Sequence, residues 1–461
     1  MTDDSQRRDP EAEDDFTHSP EVFDQIVEAI DDKDQPALDE LLEPMHPADI
    51  ADVIEQLSAS DRREFLTLYS GEIDGEILSE IDESIREEVL DQLPPEVVAE
   101  AVREMDSDDV VDLIEDLEQP EQDAILAALD ESDRVAVRQS LTYPEYSAGR
   151  LMQSEVVVAP EHWNVGETID FLRSEDWLPE QFYHVILVDP RQHPVGYVTL
   201  GKLLASPRSA RLRDLTEDSF RTIHVAQDEG DVAFAFNKYH LISAPVVDDH
   251  DRLVGVITID DAMSVLDEEH EEDILRLAGV GEDSSISDTV LETVRQRLPW
   301  LVVNLGTAIL ASMVIALFEG TISQLVALAV LMPIVASMGG NAGTQTLTVA
   351  VRGLATKSLT SSNVWRIVRR EGIVGLINGA AFALVMGAVA WFWFEGVSLG
   401  AVIAVAMVVN LFIAALAGIL IPLGLDKVGA DPALASGTFV TTVTDVVGFF
   451  AFLGLASWML L

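Results

Sequence analysis

The stretch TFVTTVTDVVGFFAFL, residues 438–453, decides how the rest of the chain is read. It is apolar enough for lipid, yet it carries one carboxylate, Asp445, near its middle. An Asp at the centre of a membrane helix costs roughly 2.5–3.5 kcal/mol on insertion scales, so such residues face an aqueous path or a partner. Gly437, Thr441, Asp445 and Gly448 fall at i, i+4, i+8 and i+11, which gives this helix one small, hydroxylated and finally anionic face. That face lines a water-filled route, or it buries the Asp against a polar partner for structure. No basic residue lies at membrane depth in any apolar run to pair with it.

Apolar runs cover about 298–318, 322–351, 365–394, 398–423 and 433–460. Each is long enough to cross ~30 Å of hydrocarbon, which takes about 20 residues. Their connections alternate in charge. Glu319-Gly320-Thr321 and Glu395-Gly396-Val397 hold no cation, whereas Arg352, Lys357, Arg366, Arg369 and Arg370, and then Lys427, mark the other two. The positive-inside rule places the basic connections in the cytoplasm, with Arg295 and Arg297 in agreement. The N-terminal part is then expected in the cytoplasm of a cell-membrane protein and the C-terminus outside. In the second run GGNAGTQ, 339–345, interrupts the apolar pattern. Its Asn341 and Gln345 share a helical face, fit either for packing with interhelical hydrogen bonds or for a polar lining.

Charge divides the chain sharply. Of the 461 residues, the last 167 carry 8 Lys+Arg against 6 Asp+Glu, while residues 1–294 carry 20 against 75. So acidic a surface repels phosphate, which excludes nucleic acid as a partner. It reads as the solvated surface of a halophile, in keeping with only 5 Lys among 28 basic residues, or as cation-binding, and both can hold together. There is no Cys, and none of the nine His lies beyond His270. Any cation handled in the apolar part therefore meets oxygen, which favours Mg²⁺, Ca²⁺ or Mn²⁺. No nucleophile–base arrangement stands out, so no catalysed reaction is expected. The polar, acidic N-terminus, residues 1–20, reads as a disordered tail without a signal peptide.

Residues 21–150 read as short amphipathic helices. HPADIADVIEQL (46–57) and DSDDVVDLIEDL (106–117) share five identities at a spacing of 60, and Pro47, Pro94, Pro95 and Pro120 punctuate the run. Such a repeat of helix pairs predicts an α-superhelical domain. From about Leu151 strands alternate with helices. HVILVDPRQHPVGYVTLGKLL (184–204) matches SAPVVDDHDRLVGVITIDDAM (243–263) at an offset of 59, a β-turn-β-α unit occurring twice. These copies resemble a tandem pair of CBS domains, α/β in class, over 151–210 and 211–268. In nucleotide-binding CBS domains a Gly, a Ser/Thr and an Asp approach ribose. The second copy has Gly255, Thr258 and Asp261, whereas the first has Gly196 and Thr199 with Lys202 in the acid's place. The alternative is that Gly and Thr serve the turn and the helix cap. Residues 269–297 predict an acidic helix, a Gly-containing break and a second, connecting helix.

The order of helical repeat, CBS pair, connecting helix and five spans, with GGNAGTQ and DPALASGTFVTTVTDVVGF (431–449), resembles the MgtE family of magnesium channels and transporters over about 20–461. The resemblance implies a multidomain membrane protein with an all-α, five-helix transmembrane domain over 298–461, and a plug-like role for 269–297. It implies a homodimer in the bilayer with a pore on its two-fold axis, built mainly by the second and fifth helices. Asp445 of each subunit would select the ion, with Thr441, Gly437 and Asn341 along the same path. Mg²⁺ would be both cargo and regulator, sensed by Asp108 and Asp112, Asp228 and Asp261, Glu269, Glu272 and Asp273, and Asp431. ATP is a further expected ligand of the CBS pair. Relatives often carry Asn-Pro where this chain has Gly437-Thr438, and an acid at Ser264. A channel for Co²⁺ or Mn²⁺ on the same scaffold, or a CBS-containing membrane sensor, are the alternatives.

Overall fold

In the computed structural model, which describes residues 20–461 apart from 116, 176, 180, 218–219, 282–283, 285–289, 361 and 395, Pro47, Pro95 and Pro120 each fall in the first turn of a helix. A proline there gives up no hydrogen bond, and its fixed φ suits the helix. The expected tail lies outside the described residues up to residue 19, and Pro20 already opens the first helix, Pro20–Asp32. Short helices follow as far as Glu131–Ser140, and their apolar faces share one core that includes Ile26, Leu38, Ile54, Phe65, Ile77 and Leu113. The repeat holds at the level of single bonds. Arg62 Nη2 donates to the carbonyls of Glu55 and Leu57 at 3.2 Å each. Gln122, sixty residues on, donates from Nε2 to those of Glu115 and Leu117 at 3.3 and 3.0 Å. Both satisfy carbonyls that a helix end leaves unpaired.

The β-turn-β-α units form two three-stranded sheets of one design. β1 (Val158–Pro160), β2 (His184–Val188) and β3 (Pro194–Thr199) make the first, and β4 (Ile223–His224), β5 (Ser243–Val247) and β6 (Leu253–Thr258) the second. The first pair in each sheet is parallel and the second antiparallel. His184 pairs with Thr199 as Ser243 pairs with Thr258, and the register shifts after Leu187 in one sheet and after Val246 in the other. Asp189 and Asp248 hold the intervening turns, each accepting two backbone N–H groups at 2.7–2.9 Å. The copies meet where His184 Nδ1 and Ser243 Oγ hydrogen-bond. Burial pushes the His184 pKa down, with Glu217 acting against it.

The chain forms two compact units, Met1–Asp267 and Glu268–Leu461. In the second, five helices are long and apolar enough to cross a membrane: Val290–Ala316, Ala327–Ala355, Val364–Phe394, Val397–Lys427 and Pro432–Leu460. Two limits differ most from the sequence reading. The first helix starts at Val290, ahead of the apolar run, and takes in Arg295 and Arg297. The Glu319 connection is itself a short helix, Glu319–Gln324, because the Phe318 carbonyl accepts from Thr321 and Ile322 at 3.0 Å and starts a new turn. The fourth helix is the hub, with Val402, Ile403, Ala406, Met407, Asn410 and Ala414 all fully buried. Glycines let its neighbours close on it. A Cβ at Gly379 of the third helix would stand 2.9 Å from Val408 Cα, a small-residue contact typical of membrane helices.

Ahead of these spans, the helix Ile259–Ala278 ends where Gly279 takes φ +74°. Val280 N–H reaches Leu275 O and Gly279 N–H reaches Arg276 O, each at 3.0 Å, the paired bonds of a left-handed glycine cap. Part of the expected connecting segment, 282–283 and 285–289, lies outside the described residues.

Candidate functional site

Asp445 is half-buried in the fifth membrane helix and has no hydrogen bond or ion pair among the described residues. Glu371 of the third helix is placed otherwise: it is buried, with Oε1 3.7 Å from Arg370 Nε. One turn before Asp445, Thr441 is exposed, and its hydroxyl folds back to donate to Gly437 O at 2.9 Å. Thr442 and Thr444 do the same to Thr438 O and Thr441 O at 2.6 and 2.9 Å. Along this helix Thr441 is exposed, Asp445 half-buried and Thr444 fully buried. On the second helix Asn341 and Gln345 are both exposed, while Gly339, Gly343 and Leu347 turn to the packed side. A Cβ at Gly343 would stand 2.6 Å from Val440 Cγ1 of the fifth helix. The glycines of GGNAGTQ thus do the packing, and the amides face away from it.

At the start of the fifth helix a charged junction forms. Arg276 Nη1 lies 3.1 Å from Asp431 Oδ2, and Arg276 Nη2 lies 2.9 Å from Glu272 Oε2. Burial, with Asp431 adding to it, raises the Asp273 pKa, while Arg276 and His270 act against the rise. Leu277 packs with Leu347, Val351, Ala433 and Val440, and its carbonyl is the nearest group to a Cβ built on Gly437, at 3.8 Å. Three of the acids singled out in the sequence, Glu272, Asp273 and Asp431, therefore gather round one cation that the sequence reading passed over. Glu269 is exposed on the same helix.

In the first unit, Ser107–Glu115 brings Asp108 and Asp109 toward Asp261. Asp108 is buried, and burial first, then Asp261, Asp109, Asp106 and Glu155, push its pKa well up. Burial first, then Asp261, Asp106, Asp112 and Asp260, raise Asp109 to about 7. Burial and the charges of Asp260 and Asp106 raise Asp261 to about 6, against the hydrogen bonds from Thr258. Glu155 is held beside them by Ser107 Oγ at 2.8 Å. Asp109, Asp106, Asp260 and Glu155 were missed in the sequence because their grouping depends on the contact between helix Ser107–Glu115 and the 153–155 segment.

Two expected sensing acids have partners of their own. Asp112 is ion-paired with Arg86 at 2.8 Å. Asp228 caps helix Glu229–Tyr239 through Asp231 N–H at 3.2 Å. Crowded carboxylates that lift one another's pKa fit a hard dication. Among the described residues no three His, Asp or Glu side chains converge as direct ligands of a metal ion.

Gly255, Thr258 and Asp261 have evident structural work. A Cβ on Gly255 would stand 2.6 Å from Met152 Sδ and 2.8 Å from Gln153 O, where Gln153 bridges to Val256. Thr258 donates from N and Oγ1 to the Asp261 carboxylate. The cavity that Thr258 shares with Gln153, His184 and Ser243 measures about 20 Å³.

Five apolar membrane-length helices behind a helical domain and a CBS pair, with one carboxylate at membrane depth, define a multi-pass transport-type architecture. Family models agree. One described as "Divalent cation transporter" matches residues 332–455, one described as "MgtE intracellular N domain" matches 45–146, and the CBS domain matches 148–208 and 212–268. A "Magnesium transporter MgtE" from Thermus thermophilus is 32% identical over 94% of this chain and 98% of its own length. Another of that name, from Enterococcus faecalis, is 35% identical over 70% of this chain and 71% of its own. The chain belongs to the MgtE family. Among solved structures, the cytosolic domain of the Mg²⁺ channel MgtE in complex with ATP is 28% identical, covers 53% of this chain and 99% of that one, and has a TM-score of 0.48.

Proposed function

We propose that this protein carries Mg²⁺ across the cell membrane as a homodimeric channel. Asp445 of each subunit faces the conduit, and cytoplasmic Mg²⁺ closes it. The observation that carries the reading is Asp445 itself, a carboxylate at membrane depth with no ion pair among the described residues and with exposed Thr441 one turn away. Mg²⁺ gives up water reluctantly, so the pore holds the hydrated ion. Two carboxylates opposed across a two-fold axis form a small ring of negative charge that favours dications. Thr441, Gly437 and Asn341 offer oxygens to the ion's waters along the same route. The gradient drives entry, and no bond in a substrate is made or broken. The N-terminal unit lies in the cytoplasm, where the basic connections sit, and the C-terminus lies outside.

Gating follows from the two acidic sites. Asp108 and Asp261, with Asp109 beside them, repel one another when the domains are docked, and Mg²⁺ relieves that repulsion. Glu269, Glu272, Asp273 and Asp431 act in the same way near the mouth of the fifth helix, where Arg276 supplies part of the charge permanently. Asp112 and Asp228 contribute at the edge of the set. ATP at the second CBS copy, through Gly255, Thr258 and Asp261, is a further proposed ligand, and calorimetric titration with ATP tests it.

The cysteine-free chain offers a direct check on the conduit. Thr441→Cys in liposomes should react with a membrane-impermeant, charged methanethiosulfonate reagent and lose Mg²⁺ flux. A thiol that stays unmodified, or one whose modification leaves flux unchanged, would place Thr441 off the path. Flux competition with Co²⁺ and Mn²⁺ separates Mg²⁺ from another dication as the cargo.

A further inference from the structure

This inference rests on the reading of the fifth helix as a pore wall, and it starts in the fourth. Asn410 is the one amide side chain of Val397–Lys427 and is fully buried. Its Nδ2 donates to Val335 O of the second helix at 2.8 Å. Its Oδ1 is buried with no hydrogen-bond donor among the described residues. Two glycines from two other helices close on this amide. A Cβ at Gly339 would stand 2.3 Å from Nδ2, and one at Gly448 would stand 2.9 Å from Nδ2 and 3.0 Å from Oδ1. Gly339 opens GGNAGTQ, and Gly448 lies one turn beyond Asp445. The two motifs therefore meet on a residue that neither contains.

We propose that Asn410 is a positioning residue for the ion path, which fixes the register of the second helix against the fifth and so the place of Asp445. An α-helix assigns the Val335 carbonyl to the N–H of residue 339. The amide is thus keyed to the very turn where Gly339 leaves room for it. Sliding the fifth helix by one residue would set Val447 or Phe449 against the amide, where even a methyl group does not fit. Packing alone does not call for an amide here. An apolar side chain would carry no orphan oxygen, and an unpaired buried acceptor is costly. A single buried Asn is known to specify helix register in coiled coils at a cost in stability, and the geometry here matches that use.

The test uses the full chain reconstituted in liposomes, with Asp445→Asn as reference. Asn410→Leu lacks the bond to Val335, and its preference for Mg²⁺ over Ca²⁺ and Mn²⁺ should fall about tenfold, the effect of ~1.4 kcal/mol. Gly448→Ala alone should lose flux, because the new methyl displaces the amide. The pair Asn410→Ala/Gly448→Ala should recover flux above either single variant, since the methyl then occupies the space the amide left. Wild-type flux and selectivity in Asn410→Leu, beside an inactive Asp445→Asn, would overturn the positioning role and leave the pore reading standing. So would a double variant no better than its parents, which decides the matter if Asn410→Leu does not fold. Wild-type flux in Asp445→Asn would instead remove the pore reading itself.

Discussion

Asp108 in one unit and Asp445 in the other stand in opposite company. In Met1–Asp267, Asp108, Asp109 and Asp261 crowd one another until each is held above the ordinary carboxylate range. In Glu268–Leu461, Asp445 stands one turn from Thr441 and Gly448 with no charge paired to it among the described residues. A crowded set keeps its full charge only while cations share the site, so its state follows the surrounding ion concentration. A solitary carboxylate imposes the same charge on whatever passes. The first arrangement suits sensing and the second suits selection.

The comparison breaks most visibly at Asp445. Asp445→Ala should cut Mg²⁺ flux by more than about a hundredfold, because a unit charge ~4 Å from a cation is worth several kcal/mol at an effective dielectric near 20. The crowded set should behave in the reverse sense. Asp108→Asn/Asp109→Asn/Asp261→Asn removes repulsion and should leave the first unit protease-resistant without Mg²⁺, whereas wild type needs the ion. If the triple variant still required Mg²⁺ for protection, sensing would lie elsewhere.

Acid should imitate that variant. In the docked form Asp109 and Asp261 are raised from 3.8 to about 7 and about 6. Groups raised in this way favour the docked form most at pH below their free value, and the advantage is lost as pH rises through about 6 to 7. Protection without Mg²⁺ should therefore be present at pH 5 and absent at pH 8, and the Mg²⁺ effect should be largest at pH 8.

Two smaller effects sharpen the contrast between sites and scaffold. Gly343→Ala forces a methyl toward Val440 and should cost about 1–3 kcal/mol of stability in detergent melts, as overpacking does. Asp228→Ala removes a helix cap and should cost ~1 kcal/mol, with the Mg²⁺ dependence of protection weakened far less than in the triple variant.

Periodic features were legible in the sequence. The apolar runs gave the membrane helices to within a few residues at most ends, and the offset of 59 matched the two sheets down to the register shift. A prolonged apolar pattern or an exact repeat records burial and pairing locally, so it survives in one dimension. Asp445 was legible for the same reason, as a charge that breaks such a pattern. Asn410 was not. A lone amide in an apolar helix carries no sign of Val335, 75 residues away, or of the two glycines that frame it. Arg276 likewise gains its meaning from Asp431, far along the chain. Among so many acids, composition also could not separate Asp109, which joins the cluster, from Asp112, which Arg86 claims.

The most direct measurement is Mg²⁺ influx into liposomes holding the purified wild-type chain or Asp445→Asn, at matched protein content and with external Mg²⁺ as the only dication. Saturable influx in wild type and background influx in the variant is the result expected. Equal influx in both would mean that the membrane carboxylate does not select the ion, and the account would fall with it.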